Sequence, residues 1–398
     1  MRARRVAVPA ALAAGLVAGV VGVTGVAGVA GAVGMPGAAA ATARPALRLH
    51  DPRITEASGI AVAERERGVL FVQNDSGDTS RFFAVSRRTG ATIATIRVRG
   101  ARNIDWEDIA TARDAAGVPS VWLADIGDND AVRRDVQVYR VPEPRLRVTG
   151  PPQVVTASAV AVWRLRYPGG PADAESLAVA PGGDAYIVTK SLLGSSVVYA
   201  VPRSPSPRVR TARRIGAVQF LPHGVANPFG PAGEMLATGA AMSRTGTLLA
   251  IRTYASAYVW RVGARGVAAA LRAAPARIDL PRERQGEGVT FTGSGLLVDS
   301  EGRDSPVYAV PLPRTVLDAV HAPSRSASHP LARPAPHTTP ATTASPSPSA
   351  TTSPAARRPH RTVGTTVLGI VVLLLAAGVS VLFQRRRGRQ ARRHDPPQ

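Results

Sequence analysis

The chain has 398 residues, no cysteine and a formal net charge of +22. The missing cysteines exclude a disulfide framework and a thiolate zinc site. The charge suggests nucleic acid, but its distribution argues against that partner. Residues 44–320 hold 35 basic and 26 acidic residues, whereas the flanks hold 14 basic and one acidic. Most of the excess therefore sits in segments that read as targeting and anchoring signals.

Residues 1–43 read as a secretory signal peptide. Arg2, Arg4 and Arg5 precede a long apolar run from Val6 to about Val33, and Ala41-Thr42-Ala43 offers an A-x-A cleavage site. An uncleaved signal anchor is the alternative for so long a run.

Residues 44–320 carry a repeat. A small or acidic pair followed by a short apolar run recurs at Ser58-Gly59-Ile60-Ala61, Glu107-Asp108-Ile109-Ala110, Glu175-Ser176-Leu177-Ala178 and Glu287-Gly288-Val289-Thr290, with Ala240-Ala241-Met242-Ser243 as a looser copy. Each copy is followed by a turn, a second strand such as V-W-L-A-D-I, and a third such as V-Q-V-Y-R-V. The runs are β-branched or aromatic and end at Gly, Pro, Asp or Ser, as strands do. The starts are separated by 49, 68, 65 and 47 residues. A four-stranded, WD40-like propeller blade needs about 40–50 residues. These spacings predict an all-β ectodomain, a β-propeller of five or six blades, whose long gaps hold loops or a degenerate blade. A strand near Leu47–Leu49 is expected to close the ring against the last blade. A β-sandwich is the competing fold and leaves the repeat length unexplained.

Residues 321–361 are rich in Pro, Ser, Thr and Ala. They cannot bury enough apolar surface to fold and read as an extended stalk, open to O-glycosylation. Residues 362–384 read as a transmembrane helix, since the apolar stretch at about 1.5 Å per residue spans about 30 Å. The tail, 385–398, holds six arginines and no lysine; by the positive-inside rule it is cytoplasmic. The expectation is a single-pass protein of the cell membrane with its propeller outside.

If the first strand of each blade lines the channel, the loops after the second strands gather on one face. Strand direction decides whether the glutamates opening the first strands share it. The candidate ligand-binding residues are Asp75, Asp105, Trp106, Asp125, Asp128, Asn129, Arg252, Tyr254 and Glu301. Glu107, Glu175 and Glu287, with Lys190, are the catalytic candidates; Lys190 is the one lysine in an arginine-rich chain, and lysine can act as a base where arginine cannot. Glu107, Asp125, Glu175 and Glu287 are the metal candidates, and Ca²⁺ is the cofactor such oxygens would take. The competing readings are structural. Asp and Asn make turns between strands, arginines neutralise carboxylates, and Trp106, Trp122, Trp163 and Trp260 pack between blades.

Several of these stretches resemble a known family. N-D-S-G at 74–77, N-I-D-W-E-D-I-A at 103–110, A-D-I-G-D-N at 124–129, the strand following Arg133, D-A-E-S-L at 173–177, V-T-K at 188–190, L-A-I-R-T-Y at 249–254, Q-G-E-G at 285–288 and S-E-G at 300–302 together resemble secreted or membrane-anchored bacterial β-propellers of unsettled function. These are distantly similar to phytase-like and NHL- or SMP-30-type propellers. The resemblance spans Leu49 to Pro311 and implies calcium in the propeller mouth. The fourth repeat departs from it, with alanine at 241 where an acidic residue is expected.

Two functions remain. The first is a binding or scaffold module that presents one loop face to an extracellular ligand. The second is an extracellular hydrolase of phosphoesters, esters or glycans with carboxylates and calcium in the mouth. No G-x-S-x-G or H-E-x-x-H motif is present.

Overall fold

The computed structural model describes residues 42–293 and 295–321. The expected signal peptide (apart from Thr42 and Ala43), the expected stalk beyond His321, and the expected transmembrane helix and cytoplasmic tail lie outside the described residues. Among those described, no helix is long and apolar enough to cross a membrane.

The strands form where the β-branched and aromatic runs stand, and they assemble into five sheets. β1 (Arg44–Arg48) precedes the first blade. Blade 1 contains β2 (Ala57–Val62), β3 (Val69–Asn74), β4 (Arg81–Ser86) and β5 (Thr92–Arg99). Blade 2 begins with β6 (Trp106–Arg113), β7 (Pro119–Asp125) and β8 (Val136–Pro142). The chain then runs back along the edge of blade 1 as β9 (Gln153–Ser158), parallel to β5, before β10 (Ala161–Arg166) completes blade 2. Blade 3 repeats the manoeuvre. After β11 (Ala174–Val179), β12 (Ala185–Thr189) and β13 (Ser195–Ala200), β14 (Ser206–Thr211) adds in parallel to β10, and β15 (Arg213–Gln219) returns. Blade 4 contains β16 (Ala237–Met242), β17 (Leu248–Thr253), β18 (Ser256–Arg261) and β19 (Ala276–Asp279). Blade 5 contains β20 (Gly286–Phe291), β21 (Gly295–Ser300) and β22 (Pro306–Pro311).

Blade 5 lacks a fourth strand of its own, and β1 supplies it. Leu47 pairs with Val307 and Arg44 with Ala309, which closes the ring as expected. The two long gaps in the repeat hold β9 and β14, each added to the preceding blade, so the propeller has five blades and no degenerate sixth.

β2, β6, β11, β16 and β20 form the innermost ring; each touches the next, and β20 returns to β2. One apolar cluster fills each of the five blade junctions. Burying one of these Phe or Leu side chains contributes roughly 1.5–3 kcal/mol. The four tryptophans belong to these clusters, with Trp122 stacked on Trp163 at 5.0 Å.

Every innermost hairpin carries a register shift at its start, between Ala57 and Gly59, Trp106 and Asp108, Ala174 and Ser176, Ala237 and Gly239, and Gly286 and Val289. A bulge leaves one residue out of the ladder, and the bulged residues form one ring: Ser58, Glu107, Glu175, Thr238 and Glu287. In blade 4 the repeat therefore starts at Thr238, two residues before the start read from the sequence. The acidic position is filled by Thr238, and Ala241 occupies the place of Ala61 and Ala110. One step further along, the ring narrows. A Cβ on Gly288 would lie 2.7 Å from the Ile60 nitrogen, and one on Gly59 2.7 Å from Asp108 Oδ1. Five inner strands can approach this closely because Gly59, Gly239 and Gly288 carry no side chain there.

Candidate functional site

Each inner hairpin is antiparallel. The start of a first strand and the end of a second strand therefore share one rim. The glutamates and the loops after the second strands meet there, at one mouth of the channel.

Two overlapping carboxylate groups occupy the mouth. Asp75, Asp105 and Glu107 offer oxygens within 4.8 Å of one another, and so do Glu107, Asp173 and Glu175. Glu107 belongs to both. Glu107 and Glu175 are 3% and 4% exposed. Glu107 Oε1, Glu175 Oε2 and Glu287 Oε2 are buried with no hydrogen-bond partner among the described residues. Gly127 makes room for the group, since a Cβ there would fall 2.2 Å from Glu107 Oε1 and 2.5 Å from Asp105 Oδ2.

The electrostatics follow from this crowding. Burial pushes Glu107 well above the ordinary carboxylate range, and Asp75, Glu175, Asp105 and Asp173 push it further. Burial raises Glu175 against the pull of Lys190. Burial also raises Glu287, opposed by Lys190 and reinforced by Glu301. Lys190 donates to Glu175, and to the Tyr254 hydroxyl at 3.0 Å. Burial works against its ammonium, but Glu175, Tyr254, Glu287 and Asp173 outweigh it and hold Lys190 protonated. Tyr254 is 2% exposed and lies against Phe229, with centroids 4.4 Å apart. The mouth thus has three carboxylates with the Ser58 hydroxyl on its blade 1–2 side, and an ammonium–phenol pair between blades 3 and 4.

The floor is built from two further carboxylates. Asp108 accepts from the Ile109 N–H at 2.8 Å, from Leu177 N–H at 2.7 Å and from Ala240 N–H at 3.1 Å, which ties blade 2 to blades 3 and 4. Asp299 accepts from Gly288 N–H at 2.8 Å, and burial pushes it up to about 7.

The structure brings Asp75, Asp105, Glu107, Glu175, Lys190, Tyr254, Glu287 and Glu301 to the mouth. It places other candidates in the wall. Arg252 is 0% exposed; it pairs with Glu283 at 2.7 Å and donates to the carbonyls of Gly288, Asp299 and Thr253. Trp106 is fully buried and donates from Nε1 to the Arg102 carbonyl. Asp125 is fully buried, pairs with Arg133 at 3.0 Å and accepts from Asp105 N–H. Asp128 shapes its loop by accepting from the Val132 and Arg133 N–H groups, and Asn129 is exposed. Two residues were missed, Asp173 and Asp108. The first had a readable signal: Asp105-Trp106-Glu107 and Asp173-Ala174-Glu175 share a D-x-E spacing.

The acidic groups among the described residues contain no His or Cys, and carboxylate oxygens are a hard donor set that suits Ca²⁺ or Mg²⁺ rather than softer metals; Lys190 already donates to Glu175, and Ser58 Oγ to Glu107 Oε2 at 3.3 Å. Ca²⁺ takes about six to eight oxygens, of which each group of three carboxylates supplies a part and water the rest. By donor chemistry the residues suit a divalent cation, which Asp75, Asp105 and Glu107, or Glu107, Asp173 and Glu175, would hold.

The raised carboxylates make a pH prediction. Their folded values exceed the unfolded value of about 4, so they favour the native state fully below that value, and this is lost as pH rises through the folded values, about 7 for Asp299. With a chelator present, the melting temperature is expected to fall between pH 5 and pH 8. Differential scanning calorimetry across that window checks it; a rise contradicts the buried-carboxylate account.

No family model matches the chain, and no curated protein matches it. Among solved structures it is similar to the PQQ-bound form of aldose sugar dehydrogenase from Streptomyces coelicolor, at 12% identity and a TM-score of 0.37, over 68% of this chain and 98% of that one.

Proposed function

We propose that the protein is a cell-surface binding propeller that holds a divalent cation in its mouth and uses it to capture an extracellular ligand bearing an oxyanion. The observation that carries this reading is the pair of carboxylate groups sharing Glu107, in which Glu107 Oε1 and Glu175 Oε2 are buried and accept no hydrogen bond among the described residues. Like charges this close and this dry are unfavourable unless neutralised, and a cation neutralises them while leaving coordination positions open to a ligand. In this reading the apolar segment at 362–384 anchors the chain and the 321–361 stalk holds the propeller away from the bilayer.

A hydrolase is the second reading, favoured by the hydrogen bond from Lys190 to Tyr254. There the bound cation would polarise a phosphoryl or carbonyl oxygen. Lys190, held protonated by its neighbours, would bind developing negative charge, and Tyr254 would carry a proton beside it. Turnover of a phosphoester or ester that is lost in both Lys190→Met and Tyr254→Phe, with cation binding intact, selects this reading.

The cation itself is tested by melting the purified protein with and without Ca²⁺. At a hundred times Kd a ligand adds about 2.7 kcal/mol, or about 5–10 °C for a domain of this size. Glu107→Gln is expected to abolish the calcium shift and also to raise the calcium-free melting temperature, because it removes a buried, repelled carboxyl. Equal calcium shifts in wild type and Glu107→Gln would refute the site.

A further inference from the structure

A cavity of about 560 Å³ opens at the junction of blades 2 and 3, beside the mouth. That is the size of a small-molecule site, which runs about 300–1,000 Å³. The loop between β7 and β8 and the turn after β10 wall it, and it carries Arg133, Arg134 and Arg166 with Tyr167 among its lining. A hydrogen bond from Asp128 N–H to Asp173 Oδ1, 3.0 Å, joins this wall to the carboxylates of the mouth.

The charges in the groove are unevenly matched. Arg133 is taken by Asp125 and the Gly127 carbonyl. Asp135 is taken by Arg164 at 2.9 Å, and both oxygens of Asp128 accept backbone N–H groups. Arg134 and Arg166 are exposed, and neither has an ion-pair partner among the described residues; Arg166 donates only to the Thr211 hydroxyl. Tyr167 is 5% exposed, and its hydroxyl has no hydrogen-bond partner among the described residues. Burial, with Asp173 and Tyr199 nearby, pushes that phenol upward, so it stays a donor.

We propose that this groove is a second binding site, distinct from the cation in the mouth, in which Arg134, Arg166 and the Tyr167 hydroxyl hold a phosphate group. Guanidinium forks match the geometry of phosphate oxygens. A phosphate oxygen also supplies the acceptor that the buried Tyr167 hydroxyl lacks.

Calorimetric titration of pyrophosphate into the full chain, with a chelator present to remove any divalent cation, tests the groove separately from the mouth. Wild type is expected to bind, and binding is expected to weaken as salt rises. The double substitution Arg134→Ala/Arg166→Ala changes two exposed side chains and should leave melting unchanged while weakening pyrophosphate by about tenfold or more. Tyr167→Phe should weaken it less, and Glu107→Gln should not weaken it. No binding by wild type, or equal binding by wild type and the double variant, overturns the proposal. Loss of calcium binding with pyrophosphate binding intact would count against the mouth alone.

Discussion

Asp108→Ala is expected to remove a large part of the stability of the propeller. The Asp108 carboxylate is fully buried and accepts three backbone N–H groups, its own neighbour's and one from each of blades 3 and 4. Those donors lie on innermost strands packed around a narrow axis, where no other strand can take them. Stranding a buried donor costs about 1–3 kcal/mol, so losing the acceptor for three of them should cost on the order of 5 kcal/mol. Asp108→Asn is the control. Its remaining carbonyl oxygen can still accept from Leu177 and Ala240, which both use Oδ2, and only the Ile109 N–H faces the amide, so the loss should be about 1–3 kcal/mol. Urea unfolding at equilibrium measures both. A cost below about 1 kcal/mol for Asp108→Ala would mean that the blades are not joined through this side chain.

The second large effect is expected at the Arg252–Glu283 pair, in which both side chains are 0% exposed. Burial raises the Glu283 carboxyl, and Arg252 opposes it. The guanidinium also serves three backbone carbonyls, and Gly286 is tolerated only as glycine here because a Cβ would lie 2.0 Å from Arg252 Nη2. Removing one partner of such a pair leaves an uncompensated buried charge at a cost of about 3–5 kcal/mol. Glu283→Gln and Arg252→Met should each fall in that range. The double variant should cost less than the two added together, by about 1–3 kcal/mol, because it strands no charge. Strict additivity in the cycle would contradict a direct pair.

The repeat was legible because each inner strand announces itself with a small or acidic pair before an apolar run, and because the strands end at turn residues. Thr238 and Gly239 offer neither a carboxylate nor a bulky apolar residue to mark the start of blade 4, so the repeat pattern places that start two residues late. β9 and β14 were not legible as blade edges. Each pairs in parallel with a strand of the preceding blade, and such a pairing leaves no hairpin signal in the nearby sequence. The acidic mouth was partly legible, since Glu107, Glu175 and Glu287 stand at equivalent places. Arg252, Trp106 and Asp125 stand at the same strand ends, yet the chain folds them inward. There a guanidinium finds four acceptors and an indole finds a carbonyl. Polar residues at strand ends look alike in sequence whether they meet solvent or a buried partner. Asp108 was hidden for a related reason: its role depends on N–H groups 69 and 132 residues away.

Anomalous X-ray scattering from crystals soaked in a lanthanide or Mn²⁺ tests most directly whether these distant carboxylates converge to hold a cation. The account predicts a peak at Glu107, together with Asp75 and Asp105 or with Asp173 and Glu175, absent from crystals of Glu107→Gln. Peaks confined to exposed surface carboxylates, with the mouth holding only water, would contradict it.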